Sequence, residues 1–252
     1  MQPATAHSVL FVGAGPGAAA HLTLGAYQAL QAADVVIHDR LVGPEVLALI
    51  PPAARLVDVG KQGFGPSTVQ ADINAAIVAH ALTGAQVVRL KGGDSGIFGR
   101  LDEEITALEA HALPYRILPG LTAATVAAAS IGQSLTQRGR NASLRIITGH
   151  DMAGFAEQDW RGLARKGEVA AIYMGKKSAR FIQGRMLMHG ADAQTPVTLV
   201  ENVSRADETI TAATLATLDV AVISLSGPAV ILLGLAPRQS TAALQTLKEA
   251  QA

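Results

Sequence analysis

The chain contains no cysteine. That excludes disulfides, thiolate nucleophiles and cysteine-type zinc sites together, and it fits the cytoplasm, where the protein is expected to work. Aromatic residues make up only 4% of the chain. Its core must therefore be assembled from Ala, Val, Leu and Ile, which suits helices layered on a buried parallel sheet. Neither sign of charge is in excess, with 20 basic residues against 20 acidic ones. Nucleic-acid binders carry a basic surplus against phosphate, so nucleic acid is not expected as a partner. No apolar run reaches the roughly 18 residues that span a bilayer, and no membrane association is expected. Residues 1–7 lack the basic and apolar regions of a signal peptide. The histidines, His38, His80 and His111 among them, show no metal-ligand spacing, so no metal is expected.

What is present is 252 residues that are 49% hydrophobic, enough for one large α/β domain or two smaller ones. Short apolar runs ending in glycine or charge alternate with helical spacing. Strands are expected at 8–12, 35–38, 56–59, 86–90 and 115–118, and helices at 24–33, 45–50, 68–82, 101–111 and 122–130. This rhythm predicts a mainly parallel sheet with helices on both faces. Residues 133–142, rich in polar and glycine residues, read as a linker. The expected domains are 1–133 and 143–252, with 134–142 between them. In the second half strands are expected at 144–148, 169–173, 197–201, 208–212 and 230–233. The alternation around Glu208-Thr209-Ile210-Thr211 predicts antiparallel pairing there.

Three glycine loops follow strands of the first half. Gly13-Ala14-Gly15-Pro16-Gly17 by itself fits a tight turn. It also fits, through Ala18, the dinucleotide pattern of a nicotinamide-dependent oxidoreductase, with Asp39 at the second strand end as the ribose carboxylate. Pro16 and the late start of the next helix weigh against the second reading, because a phosphate there would miss the helix N-terminus. Lys91-Gly92-Gly93-Asp94 and Pro119-Gly120-Leu121-Thr122-Ala123 add two more loops. Three such loops at one sheet edge point to a ligand pocket, since ligands of open α/β sheets bind at the carboxyl ends of strands. Asp39 and Lys61 end neighbouring strands. An acid and an amine beside a pocket suit proton transfer, although solvated loop charges would look the same.

Taken in order, these motifs resemble the tetrapyrrole methylase family. They are Val12 to Gly17, Asp39-Arg40-Leu41-Val42, Val59-Gly60-Lys61, Lys91 to Asp94 with Phe98-Gly99-Arg100, Pro119-Gly120 with Thr122-Ala123, Thr148-Gly149-His150, Tyr173-Met174-Gly175 and Val200-Glu201-Asn202. The resemblance runs from about Val9 to Leu235. It implies two α/β domains with a cofactor cleft between them, and a homodimer. It further implies S-adenosylmethionine as methyl donor, with S-adenosylhomocysteine as its product. The implied reaction is methylation of uroporphyrinogen III at C2 and C7, giving precorrin-2 for cobalamin or sirohaem. Carried over position by position, Pro16, Gly92, Gly93, Asp94, Ile97, Thr122, Ala123, Met174 and Val203 become cofactor contacts, Asp39 the proton acceptor and Lys61 the proton donor.

Uroporphyrinogen carries eight carboxylates, and Arg40, Arg100 and Arg138 are the candidate cations for them, arginine being favoured for bidentate pairing. Departures from the family pattern are Ser95-Gly96 in place of proline and an aromatic, Ala18 in place of an acid, Gln137 in place of histidine, and Val203 in place of a smaller residue. The Ser95-Gly96 step is expected to loosen its loop. A later corrin intermediate remains an alternative substrate on these departures, and a non-catalytic tetrapyrrole-binding module a more distant one.

Overall fold

The computed structural model describes residues 8–60, 69–152 and 154–238. The chain divides into two compact units, Met1–Thr122 and Ala123–Ala252.

The first unit runs β1 (Val9–Gly13), α1 (Leu24–Gln31), β2 (Val35–His38), α2 (Pro44–Leu47), β3 (Arg55–Asp58), α3 (Gln70–Leu82), β4 (Val87–Lys91), α4 (Leu101–Glu109) and β5 (Tyr115–Leu118). The strands form one parallel sheet in the order β3-β2-β4-β1-β5. Strand periodicity sorts β1 between two cores. Leu10 and Val12 pack with Ala26 and Leu30 of α1, while Val9 and Phe11 pack with Ile77 of α3 and Leu108 of α4. Helices thus cover both faces, as the sequence rhythm predicts. The parallel register places Gly13 level with Lys91 and His38 level with Leu90. The loops after β1, β2 and β4 therefore leave the sheet at one height.

The second unit begins with α5 (Ala123–Ser130), then β6 (Arg145–Thr148), β7 (His150–Asp151), β8 (Gly154–Phe155), α6 (Trp160–Leu163), β9 (Ala170–Tyr173), α7 (Ala179–Met188), β10 (Pro196–Glu201), β11 (Thr209–Thr214), α8 (Leu218–Ala221) and β12 (Ala229–Leu233). Its main sheet has the order β11-β10-β12-β9-β6. Only β6 and β9 run parallel, and β10 pairs antiparallel with β11, as the alternation at 208–211 predicts. One face packs on Trp160, Ile182, Met186 and Leu218. The other packs on Ala124, Val126, Ala127 and Ala128 of α5.

This second contact explains why the division falls at Thr122–Ala123, ahead of the polar segment 133–142. The apolar face of α5 is buried against Val169, Ala171, Val230 and Leu232, and its first turn is held by Tyr173, whose hydroxyl accepts the Ala124 N–H at 2.9 Å.

Candidate functional site

The three glycine loops of the first unit meet backbone to backbone. Gly15 and Gly93 form an isolated antiparallel bridge, with Gly93 N–H donating to the Gly15 carbonyl at 2.7 Å and Gly15 N–H to the Gly93 carbonyl at 3.1 Å. Both take positive φ, +71° and +72°, which costs glycine nothing. A Cβ at Gly13 would lie 2.5 Å from the Gly120 nitrogen, and one at Gly120 would lie 2.3 Å from the Gly93 carbonyl oxygen. Gly92 abuts Leu41 of the β2 loop, and Gly43 abuts the Gly17 carbonyl. Over Gly93, by contrast, a Cβ would meet nothing within 4 Å among the described residues. The site thus has a floor of bare main chain with open space above it.

Asp94 staples this floor. Its Oδ1 accepts the Gly96 N–H at 2.8 Å and its Oδ2 the Gly120 N–H at 2.9 Å, so the loop is held without the proline that Ser95 replaces. Ser95 itself is fully buried, and its hydroxyl has no hydrogen-bond partner among the described residues. Pro16, Ile97 and Thr122 are half-buried around the floor, and Gly92 and Gly93 share that exposure. Helix α1 starts only at Leu24, capped by Thr23, whose hydroxyl accepts the Ala26 N–H at 3.1 Å. The glycine loop consequently does not open that helix, and a pyrophosphate would find no helix N-terminus behind it.

Asp39 stands one residue past β2, partly exposed, with Oδ1 accepting the Leu41 N–H at 2.9 Å. Lys61 lies outside the described residues. Arg40 is exposed, its stem against Gly60. Arg100, also exposed, is engaged by Glu103 in a two-point pair, 2.7 Å at each contact. Arg138 is exposed on the 134–142 segment of the second unit.

In the second unit, β6, β9 and β10 end at one sheet edge, and three non-glycine residues there or just beyond take positive φ: Met174 (53°), Asn202 (52°) and Ser204 (58°). Such backbone costs about 1–3 kcal/mol per residue and clusters at functional sites. Met174 is half-exposed at 51%. Ala123 is half-buried at the start of α5. Val203 is 5% exposed and its side chain belongs to the α5 core.

Sequence reasoning gives no role to a buried charge cluster behind Asp39. Arg89 Nε donates to Glu104 Oε1 at 3.0 Å and Lys91 Nζ to Glu104 Oε2 at 2.7 Å, with the three side chains at most 5% exposed. Burial and the neighbouring Arg89 hold the Lys91 ammonium below its ordinary value, against the pull of Glu104. One signal was available: Glu104 falls on the same stripe of α4 as Leu101 and Leu108, the face turned to the core.

Among the described residues no group of three or more His, Asp or Glu is placed to hold a metal ion, and no helix is long and apolar enough to cross a membrane.

Residues 8–219 match the sequence model of the family described as Tetrapyrrole (Corrin/Porphyrin) Methylases. The chain is 41% identical over 226 residues to a siroheme synthase of Edwardsiella ictaluri (strain 93-146), covering 90% of this chain and 49% of that protein. A siroheme synthase of Xylella fastidiosa (strain M12) is 41% identical over 229 residues, with 90% and 48% covered. This chain accordingly spans about half the length of these curated relatives. Among solved structures, the uroporphyrin-III C-methyl transferase of Thermus thermophilus complexed with S-adenyl homocysteine superposes with a TM-score of 0.76 at 34% identity, covering 94% of this chain and 99% of that one.

Proposed function

Since the chain belongs to the tetrapyrrole (corrin/porphyrin) methylase family, we propose that it transfers methyl groups from S-adenosylmethionine to C2 and C7 of uroporphyrinogen III, giving precorrin-2. The observation that carries this reading is the backbone-only floor at Gly13, Gly15, Gly93 and Gly120, open over Gly93. Such a floor admits a ligand to main-chain contact, which side chains would block. The Thermus thermophilus relative, complexed with S-adenyl homocysteine, supports the same cofactor here.

Pro16, Gly92, Gly93, Asp94, Ile97 and Thr122 are the first unit's proposed cofactor contacts, and Ala123, Met174 and Val203 the second unit's. Asp94 acts by holding the loop, both of its oxygens being engaged by N–H groups. When bound, S-adenosylmethionine supplies an electrophilic methyl on a sulfonium. The protein's own contribution is orientation, which can supply on the order of 7–11 kcal/mol of a barrier. A methylated pyrrole ring must shed a proton, and Asp39 Oδ2 receives it. Lys61 is the proposed proton donor. Arg40, Arg100 and Arg138 are the proposed cations for substrate carboxylates, with Arg100 presented on its bond to Glu103. A cytoplasmic homodimer completes the proposal.

The test is anaerobic incubation with uroporphyrinogen III and S-adenosylmethionine, followed by mass spectrometry of the tetrapyrrole. Addition of two methyl groups is expected. No addition, with S-adenosylhomocysteine still bound in calorimetry, would move the substrate to a later corrin intermediate. Stabilisation by NAD but not by S-adenosylhomocysteine would overturn the methyltransferase reading altogether.

A further inference from the structure

The two oxygens of Asp39 are not equivalent. Oδ1 is engaged by the Leu41 N–H, while Oδ2 faces Arg89 Nη1 at 3.9 Å. That separation carries charge attraction but lies beyond a hydrogen bond. Arg89 stays at this distance because its guanidinium is occupied elsewhere. Nε is taken by Glu104, and Nη1 donates to the carbonyls of Leu90 at 3.1 Å and Ile37 at 3.4 Å. Glu104 is fixed in turn by Lys91 at 2.7 Å and by Gln70 at 3.5 Å. Stability does not call for this arrangement, since well-packed apolar residues commonly replace buried ion pairs at no cost.

We propose that Arg89 is a positioning residue for Asp39 and that Glu104 holds Arg89 off it. The cation steadies the carboxylate and leaves the lone pairs of Oδ2 open to receive a proton. Released from Glu104, the guanidinium would close on Asp39 as a two-point pair and occupy both oxygens. Arg89 is 3% exposed, so it does not meet substrate and acts only through Asp39. The inference rests on Asp39 being the proton acceptor.

Two variants test it, Glu104→Gln and the apolar triple Arg89→Met/Lys91→Met/Glu104→Met, with Asp39→Asn as reference. The measurements are kcat, KM for each substrate, and Tm. The triple variant should fold with near wild-type Tm and KM, whereas Glu104→Gln, which leaves two buried cations without their carboxylate, should fold with a lower Tm and near wild-type KM. In both, kcat falls about 100-fold, the scale of a misplaced catalytic group. A folded triple variant with wild-type kcat overturns the proposal. If the triple variant does not fold, Glu104→Gln decides on the same criterion. Full turnover by Asp39→Asn would withdraw the acceptor itself. An inactive Asp39→Asn beside fully active network variants would refute the positioning role alone.

Discussion

Gly120→Ala isolates the packing of the glycine floor from backbone preference. Gly120 does not take positive φ, so alanine brings no conformational penalty of its own. Its Cβ, however, would lie 2.3 Å from the Gly93 oxygen and 2.8 Å from Gly13 main-chain carbons, where real Cβ contacts stay above 3.0 Å. No side chain can swing aside, because both neighbours are backbone and Gly93 is pinned to Gly15 by two hydrogen bonds. The strand-end loops must part by most of an ångström. Overpacking of this kind costs about 1–3 kcal/mol. Displacing Gly120 also stretches its 2.9 Å bond to Asp94, and a hydrogen bond to a charged group contributes about 1.5–3 kcal/mol. A loss of roughly 2–4 kcal/mol in urea unfolding is expected, together with weaker S-adenosylhomocysteine binding in calorimetry. The control is Gly25→Ala in α1, where a Cβ meets nothing within 4 Å and helix propensity favours alanine by about 0.5–1 kcal/mol. A Gly120→Ala protein within about 0.5 kcal/mol of wild type that binds normally would refute the close-packed floor.

Three further outcomes follow from particular side chains. Ser95→Ala removes a buried hydroxyl that has no partner among the described residues and should stabilise by about 1 kcal/mol in urea unfolding; a loss of stability would show that the hydroxyl is satisfied. Met174→Gly relieves a left-handed backbone at a half-exposed side chain. Stability should hold within about 1 kcal/mol while S-adenosylhomocysteine affinity drops severalfold, and unchanged affinity would remove Met174 from the cofactor contacts. Glu201 sets an acid limb. Burial pushes its carboxyl up, but N–H groups of Gly227 and Ser226, the Thr209 hydroxyl and the charge of Lys176 outweigh that and hold it below the ordinary 4.5. A depressed folded value means its stabilisation is present above about pH 4.5 and is lost as pH falls through the folded value. Glu201→Gln should flatten stability against pH in that window, and an unchanged acid slope would refute the assignment.

The fold was legible wherever periodicity and punctuation agreed. In β1, Val9 to Val12 is buried throughout, and Gly13 ends the strand where the chain must turn. The antiparallel β11 showed in the alternation of its residue types, although its burial does not alternate, since Ile210 packs on the α5 core and Ala213 on the core of the opposite face. Strand order was not legible, since no local signal says that β4 lies between β2 and β1. The hairpin of β7 and β8 escaped because two-residue strands have no period to read. The domain limit fell elsewhere than the polar segment suggests, because a linker is judged by composition, whereas α5 is placed by the apolar face it buries. At the site, glycines announced close approach, yet nothing in a single sequence pairs Arg89 and Lys91 with Glu104. A strand is expected at 86–90, but its Arg89 and Lys91 lie buried on one face because α4 delivers a carboxylate to them.

The Ser95-Gly96 departure shows how local rules and the folded loop diverge. Replacing proline and an aromatic by serine and glycine removes two backbone restraints, and unfolded-chain entropy alone predicts a looser loop. In the folded unit the restraint has another source. Asp94 bonds forward to Gly96 within its own loop and across to Gly120 in the next. The buried Ser95 carbonyl lies where a Cβ on Gly99 would strike it at 2.4 Å. The contact with Gly120 is set by the parallel register of β4, β1 and β5, and those with Gly96 and Gly99 are internal to the loop. Rigidity of the loop is therefore carried by Asp94 and the glycines. The missing proline changes how much entropy folding must overcome more than the shape of the floor.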